Sequence, residues 1–131
     1  PTSSAAKQSV ETFAEGFLGP TGITQGPDGA IFVANYSKNR IDKVATNGQR
    51  TTYAEGGELN GPIGLVYDTA NGNLYTANYL KNNVVRITPF GEQSVLASGL
   101  KKPYYLLLDN RNRALYVSEQ ETNTVSKIRV P

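Results

Sequence analysis

Apolar and polar residues alternate along this chain in short runs, and turn residues end each run. Ala30 to Asn35 (AIFVAN) is nearly continuous in its apolar character, as expected for a strand buried on both faces. Arg40 to Ala45 (RIDKVA) alternates, which is typical of a half-exposed strand. Turn signals such as Gly26-Pro27-Asp28-Gly29 and Asn47-Gly48 separate the runs. No stretch of ten residues shows helical periodicity, so the pattern predicts an all-β fold.

The pattern repeats three times. The repeats run from Leu18 to Val44, from Leu59 to Ile87 and from Leu100 to Ile128, and their first leucines are 41 residues apart. A period near 40 that holds several short strands predicts propeller blades of four strands each.

The outer strands are offset from the repeats. Val10 to Ala14 (VETFA), Thr51 to Glu55 (TTYAE) and Ser94 to Ala97 (SVLA) each come directly before a new repeat. The first outer strand therefore precedes its blade, and the last blade has no outer strand after it. We expect residues 1–9 to be a flexible lead and residues 10–131 to form three blades, at about 10–49, 50–92 and 93–131.

The repeats resemble those of a known family. The GPxGI turn at Gly19 to Ile23 and the ANYxxN hairpins at Ala34 and Ala77 look like NHL repeats, and the likeness covers about Val10 to Val130. They are also similar to the wider superfamily of gluconolactonase and strictosidine synthase-like propellers. The third repeat departs from the pattern, because SEQ at Ser118 to Gln120 replaces ANY. The resemblance implies a β-propeller.

Three blades are too few to close a ring, since propellers have four to eight. An open arc of three would leave two blade faces bare, and two copies related by a two-fold axis would cover both. We therefore predict a homodimer that forms a six-bladed propeller. In it, Val10 to Ala14 of one protomer completes the third blade of its partner along Val125 to Val130. The alternative is that the chain is a piece of a longer six-bladed protein.

Composition narrows the chemistry. The chain has no Cys and no His, which excludes disulfides, thiolate and Ser-His-Asp catalysis, and His-ligated metals. The net charge is only +2, which disfavours a nucleic-acid partner. No apolar run approaches the roughly 18 residues of a membrane span, so no membrane partner is expected. The lack of Cys favours an extracellular location over a cytoplasmic one, and nothing in the sequence implies a cofactor.

In a propeller, the loops that enter the inner strands and the loops that join the second and third strands gather on one face. We expect a polar ligand to bind there. The candidate ligand-binding residues are Asn35, Tyr36, Lys38, Arg40, Asn78, Tyr79, Lys81, Tyr104, Glu119 and Gln120. Asn35 and Asn78 occupy one repeat position, where Asx-type hydrogen bonds to the hairpin are the competing interpretation. For Tyr36 and Tyr79, packing competes with binding.

The favoured function is a non-catalytic scaffold or interaction module for a polar small molecule, a glycan or a protein. Two alternatives follow from the resemblance. The first is a metal-dependent hydrolase of the lactonase type, because gluconolactonase-like relatives hold a divalent metal in the channel. However, the inner strands here open with Thr21, Ile63 and Tyr104, which offer no carboxylate. We therefore expect neither a metal site nor catalytic residues. NHL domains that read single-stranded RNA would use Tyr36 and Tyr79 for stacking and Lys38, Arg40 and Lys81 for phosphates.

Overall fold

A computed structural model describes residues 6–131 and shows three antiparallel sheets in sequence order. The fold is all-β and of the propeller type, as predicted. The first blade consists of β1 Pro20–Gln25, β2 Ile31–Asn35, β3 Arg40–Val44 and β4 Arg50–Glu55. The second consists of β5 Pro62–Tyr67, β6 Leu74–Asn78, β7 Asn83–Ile87 and β8 Gln93–Ala97. The third consists of β9 Pro103–Asp109, β10 Ala114–Glu119 and β11 Thr124–Arg129.

Each blade is a simple meander, because every strand pairs with the next one along the chain. The first two blades have four strands, and the third has only three. Residues 10–14, expected to be an outer strand, pair with no described strand, and Val10 is 96% exposed. The predicted role of this segment in a partner blade stays a prediction.

Two apolar layers hold the blades together. Phe32 and Ile41 of the first blade pack with Leu74 and Ile87 of the second. Tyr75 and Val84 of the second blade pack with Leu115 and Val117 of the third, among other residues. The middle blade is therefore buried on both faces, which is why β6 is buried along its whole length.

Two glycines set the spacing of the inner strands. A Cβ atom on Gly22 would lie 2.1 Å from the carbonyl oxygen of Ile63, and one on Gly64 would lie 2.6 Å from that of Tyr104. Any side chain at these positions would push neighbouring blades apart. Tyr105 stands at the same position of the third blade, as the aligned turns GPTG, GPIG and KPYY show.

Among residues 6–131, no helix is long and apolar enough to cross a membrane.

Candidate functional site

The predicted binding surface lies where the loops entering β1, β5 and β9 meet the loops that follow β2, β6 and β10. We call this surface the loop face. Backbone hydrogen bonds join the two sets of loops, since Tyr36 N donates to Gly19 O at 2.9 Å and Tyr79 N donates to Gly61 O at 3.0 Å. The loop face is therefore a tied, ordered surface.

Three predicted ligand-binding residues supply those ties. Asn35, Asn78 and Glu119 end β2, β6 and β10, and all three are buried. Asn35 Oδ1 accepts from Leu18 N at 2.9 Å, and Asn78 Oδ1 accepts from Asn60 N at 3.0 Å. Glu119 Oε1 accepts from Lys101 N at 2.6 Å.

The second polar atom of each of these side chains is also engaged. Asn78 Nδ2 donates to Glu58 O at 2.8 Å and to Asn83 Oδ1 at 2.9 Å. The other carboxylate oxygen of Glu119 accepts from the Ser126 hydroxyl. Because these side chains bond within the chain, the structure supports the loop-tying interpretation of this repeat position. The third blade uses a carboxylate where the first two use an amide.

Arg40, predicted to face a ligand, is instead turned into the first blade. Its Nη2 atom lies 3.0 Å from Asp42 Oδ2 and donates to Gly16 O at 3.1 Å. Arg50 Nη1 approaches the other oxygen of the same carboxylate at 3.3 Å, and Asn35 Nδ2 donates to Asp42 Oδ2 at 3.0 Å. The Asp42 side chain is fully buried, so this charge is balanced inside the protein.

The tyrosines form a row along the loop face. The ring centroids of Tyr36 and Tyr79 are 6.4 Å apart, and those of Tyr79 and Tyr104 are 6.0 Å apart. Each ring comes from a different blade, and each is half-buried. We call Tyr36, Tyr79 and Tyr104 the tyrosine row. Tyr79 and Tyr104 meet edge to face, while Tyr36 and Tyr79 are tilted relative to each other, and part of each ring remains open to solvent.

A lysine that the sequence did not point to lies beside the tyrosine row. Lys102 Nζ lies 5.0 Å from the centroid of the Tyr79 ring. Lys102 has a backbone φ of 58°, the left-handed conformation that Gly19 and Gly61 adopt at the same position of the other blades. The sequence signal for Lys102 was a non-glycine residue at a turn position that is glycine in the other two blades.

The remaining predicted residues are exposed and separate. Lys38, Lys81 and Gln120 lie on the loops that follow β2, β6 and β10, and each is exposed.

The opposite face holds an ion pair between blades that the sequence did not predict. Arg113 Nη1 lies 3.1 Å from Asp68 Oδ1, and the Asp68 side chain is fully buried. Burial raises the pKa of the Asp68 carboxyl, but hydrogen bonds from Arg113 and from Ala70 N outweigh that effect and hold the pKa below its usual value. This pair fastens the second blade to the third.

A hollow of about 450 Å³ also lies away from the loop face. Its walls include Asp28, Lys43 and Gln49 at the edge of the first blade. Within residues 6–131, no three His, Cys, Asp or Glu side chains are grouped so that they could hold a metal ion.

Comparisons with known proteins identify the fold. No protein-family profile and no curated protein matches the sequence. Two solved structures of virginiamycin B lyase from Staphylococcus aureus are similar to this chain, each with a TM-score of 0.58 and 18% sequence identity. The likeness covers 85% of this chain for the selenomethionine form, and 86% for a catalytically inactive histidine-to-alanine variant with quinupristin. The chain spans 41% of the length of either structure.

Proposed function

We propose that this chain is a non-catalytic, NHL-like interaction module that binds a glycan through the tyrosine row. One observation carries the proposal: three phenol rings from three successive blades, with a lysine ammonium group beside the central ring, lie on one ordered surface. Tyrosine offers a large flat contact at a small cost in conformational entropy, and its hydroxyl group adds a polar contact. Sugar rings present both apolar faces and hydroxyl groups, so they suit such a surface.

The similarity to the lyases supports the fold rather than their activity. The sequence identity is low, and this chain contains no histidine, whereas a histidine-to-alanine variant of the lyase is described as catalytically inactive. The single-stranded RNA alternative uses the same tyrosines. It is disfavoured because Arg40 is already paired with Asp42 and the net charge is only +2.

We further propose that two copies form a six-bladed ring, which would present two tyrosine rows on the same face. The support is the apolar face of the third blade that points away from the second, where Leu107 and Val125 are 66% and 69% exposed. Two rows held in one rigid ring would strengthen the binding of a ligand with several arms through effective concentration.

A glycan microarray tests the ligand proposal, with the labelled protein applied at micromolar concentration. We expect binding to a set of glycans that Tyr79→Ala lowers at least tenfold, because this ring contacts both neighbours in the row. The matched control is Phe90→Ala, which removes a ring that is 91% exposed in the turn after β7, on the opposite face.

Equal binding by the wild type and Tyr79→Ala, or no glycan bound by either, would show the proposal to be wrong. Salt-dependent binding of a single-stranded RNA oligomer that Lys102→Ala weakens would favour the RNA alternative instead.

A further inference from the structure

Within residues 6–131, the third blade has no fourth strand. In this part of the chain β11 pairs with β10 alone, so its other edge offers unpaired backbone groups. Beside that edge, the open face of the blade is apolar, with Tyr105 55% exposed, Leu107 66% and Val125 69%. These side chains line a shallow hollow of about 230 Å³. The unpaired edge and the exposed apolar face therefore lie at the same place in this structure.

The N-terminal segment has the sequence of a missing outer strand. Thr12 to Gly16 reads TFAEG, and Thr52 to Gly56, at the end of outer strand β4, reads TYAEG. Residues 10–14 nevertheless belong to no sheet in this chain, and Val10 and Phe13 are exposed.

The loop after this segment also behaves like a loop after an outer strand. From Gly16 to Pro20 it has the same length as from Gly99, which follows β8, to Pro103. Gly16 and Gly99 both have positive φ angles, of 99° and 78°. Leu18 N donates to Asn35 just as Lys101 N donates to Glu119. The segment thus leads into its loop as outer strand β8 does.

We propose that residues 10–14 form the fourth strand of the third blade in a second copy of this chain, antiparallel to β11. The inference rests on the proposed two-copy ring, and it names the residues that close the ring. By the two-fold axis, each copy donates one strand and receives one. Pairing completes the backbone ladder of β11 and buries part of the exposed segment.

The register follows from the two complete blades. Ala54 pairs with Ile41 in the first blade, and Ala97 pairs with Val84 in the second, with a β-bulge directly after each pair. Since Ala14 corresponds to these alanines and Val125 corresponds to Ile41 and Val84, Ala14 of one copy lies opposite Val125 of the other.

Beyond the bulge, the same register places Glu11 opposite Lys127. Every blade has a cation at the position of Lys127. In the first two blades this cation is Lys43 or Arg86, and it lies opposite Thr51 or Ser94. Only the donated strand carries a carboxylate there. A Glu opposite a Lys is a favourable cross-strand pair, so the charges fit this register.

Tyr105 explains why the contact between two copies should depend on the outer strand. Gly22 and Gly64 let neighbouring inner strands touch, but Tyr105 stands at that position where the second copy would follow. The inner strands must therefore stand further apart between copies than within one. The outer strand then supplies the directional contacts between them.

Cysteine cross-linking tests the proposal cleanly, because the natural chain has no cysteine. One preparation carries Glu11→Cys and another carries Lys127→Cys. The two are mixed in equal amounts, oxidised mildly and run on a non-reducing gel. We expect the mixture to form a disulfide-linked dimer in at least tenfold greater yield than either preparation alone, since only the mixture places the two thiols opposite each other.

In the matched control, Glu11→Cys is mixed with Arg111→Cys instead of Lys127→Cys. Arg111 is exposed in the turn between β9 and β10. A mixture that cross-links no better than this control would overturn the proposal. A double variant that cross-links within one monomer would do the same, because the arc would then close on itself.

Light scattering separates this proposal from the others. Light scattering could show a dimer while the mixed Glu11→Cys and Lys127→Cys variants form no disulfide-linked product. That result would be consistent with the two-copy ring and would rule out the donated strand. A folded 14.1 kDa monomer at high concentration would reject both. Neither measurement depends on glycan binding, so failure here is distinguishable from failure of the ligand proposal.

Discussion

The two ends of the three-blade arc both present a blade face without a neighbouring blade, yet they differ in chemistry. On the open face of the first blade, Val33 lies beside Asp42, and the two are 3% and 0% exposed. Arg40, Arg50 and the segment around Gly16 surround the carboxylate. On the open face of the third blade, Leu107 and Val125 are 66% and 69% exposed. The first blade ends in a satisfied polar network, while the third ends in bare apolar surface.

The contrast shows how a repeat protein can use one blade plan for different neighbours. Position 42 is an aspartate in the first blade, while the matching positions hold Val85 in the second blade and Ser126 in the third. An internal blade can use valine because another blade covers it. A terminal blade needs either polar groups that satisfy one another or a partner. The exposed apolar residues of the third blade are therefore where the proposed second copy would bind.

Removing the Asp42 carboxylate should have the largest effect. Arg40 is only 8% exposed, so Asp42→Ala leaves a buried guanidinium without its counter-charge. Loss of one partner of a buried ion pair costs about 3–5 kcal/mol. Urea denaturation should therefore show a loss of that size in the free energy of unfolding. The control, Glu121→Ala at an exposed site, should change it by less than about 0.5 kcal/mol. A loss under about 1 kcal/mol for Asp42→Ala would mean that the polar network does not stabilise this end.

The second comparison uses matched valines. Val84 and Val125 occupy the same position in the second and third blades, but Val84 is 0% exposed and Val125 is 69% exposed. Val84→Ala should cost about 2 kcal/mol, from two lost methyl groups and the cavity left behind. Val125→Ala should cost less than about 0.5 kcal/mol at a protein concentration low enough that light scattering shows only monomer. At high concentration, a cost near that of Val84→Ala would show that a partner covers the third blade. Equal small costs at every concentration would show that the face stays free.

The smallest expected effect concerns pH and the Asp68–Arg113 ion pair, which joins the internal blade to the third. The folded-state pKa of Asp68 lies below its value in the unfolded chain, so its contribution to stability is present above about pH 4 and is lost as the pH falls through the folded-state pKa. The free energy of unfolding of the wild type should therefore fall more steeply below about pH 4 than that of Asp68→Asn. Thermal melts between about pH 2 and 7, with Glu121→Gln as the exposed control, measure the difference. Parallel pH profiles for the wild type and Asp68→Asn would contradict the assigned role.

The sequence alone determined the all-β class, the three repeats and most strand positions. These depend on local signals: apolar alternation places the strands, and Pro, Gly and Asn fix the turns between them. For the candidate site, the sequence brought Tyr36, Tyr79 and Tyr104 to one face, because repeat position predicts which loop each residue occupies.

Tertiary structure decided which polar side chains remain free for a ligand. Asn35, Asn78 and Glu119 are at the predicted positions, but their bonds to the preceding loops depend on chain segments 17 to 18 residues away. Arg40 turns inward because Asp42 lies two residues away on the same strand face, and Lys102 reaches the Tyr79 ring from another blade. A repeat fixes where a residue stands along its own blade. Which neighbour a charged or amide group pairs with depends on distances between segments, and only the packed blades set those distances.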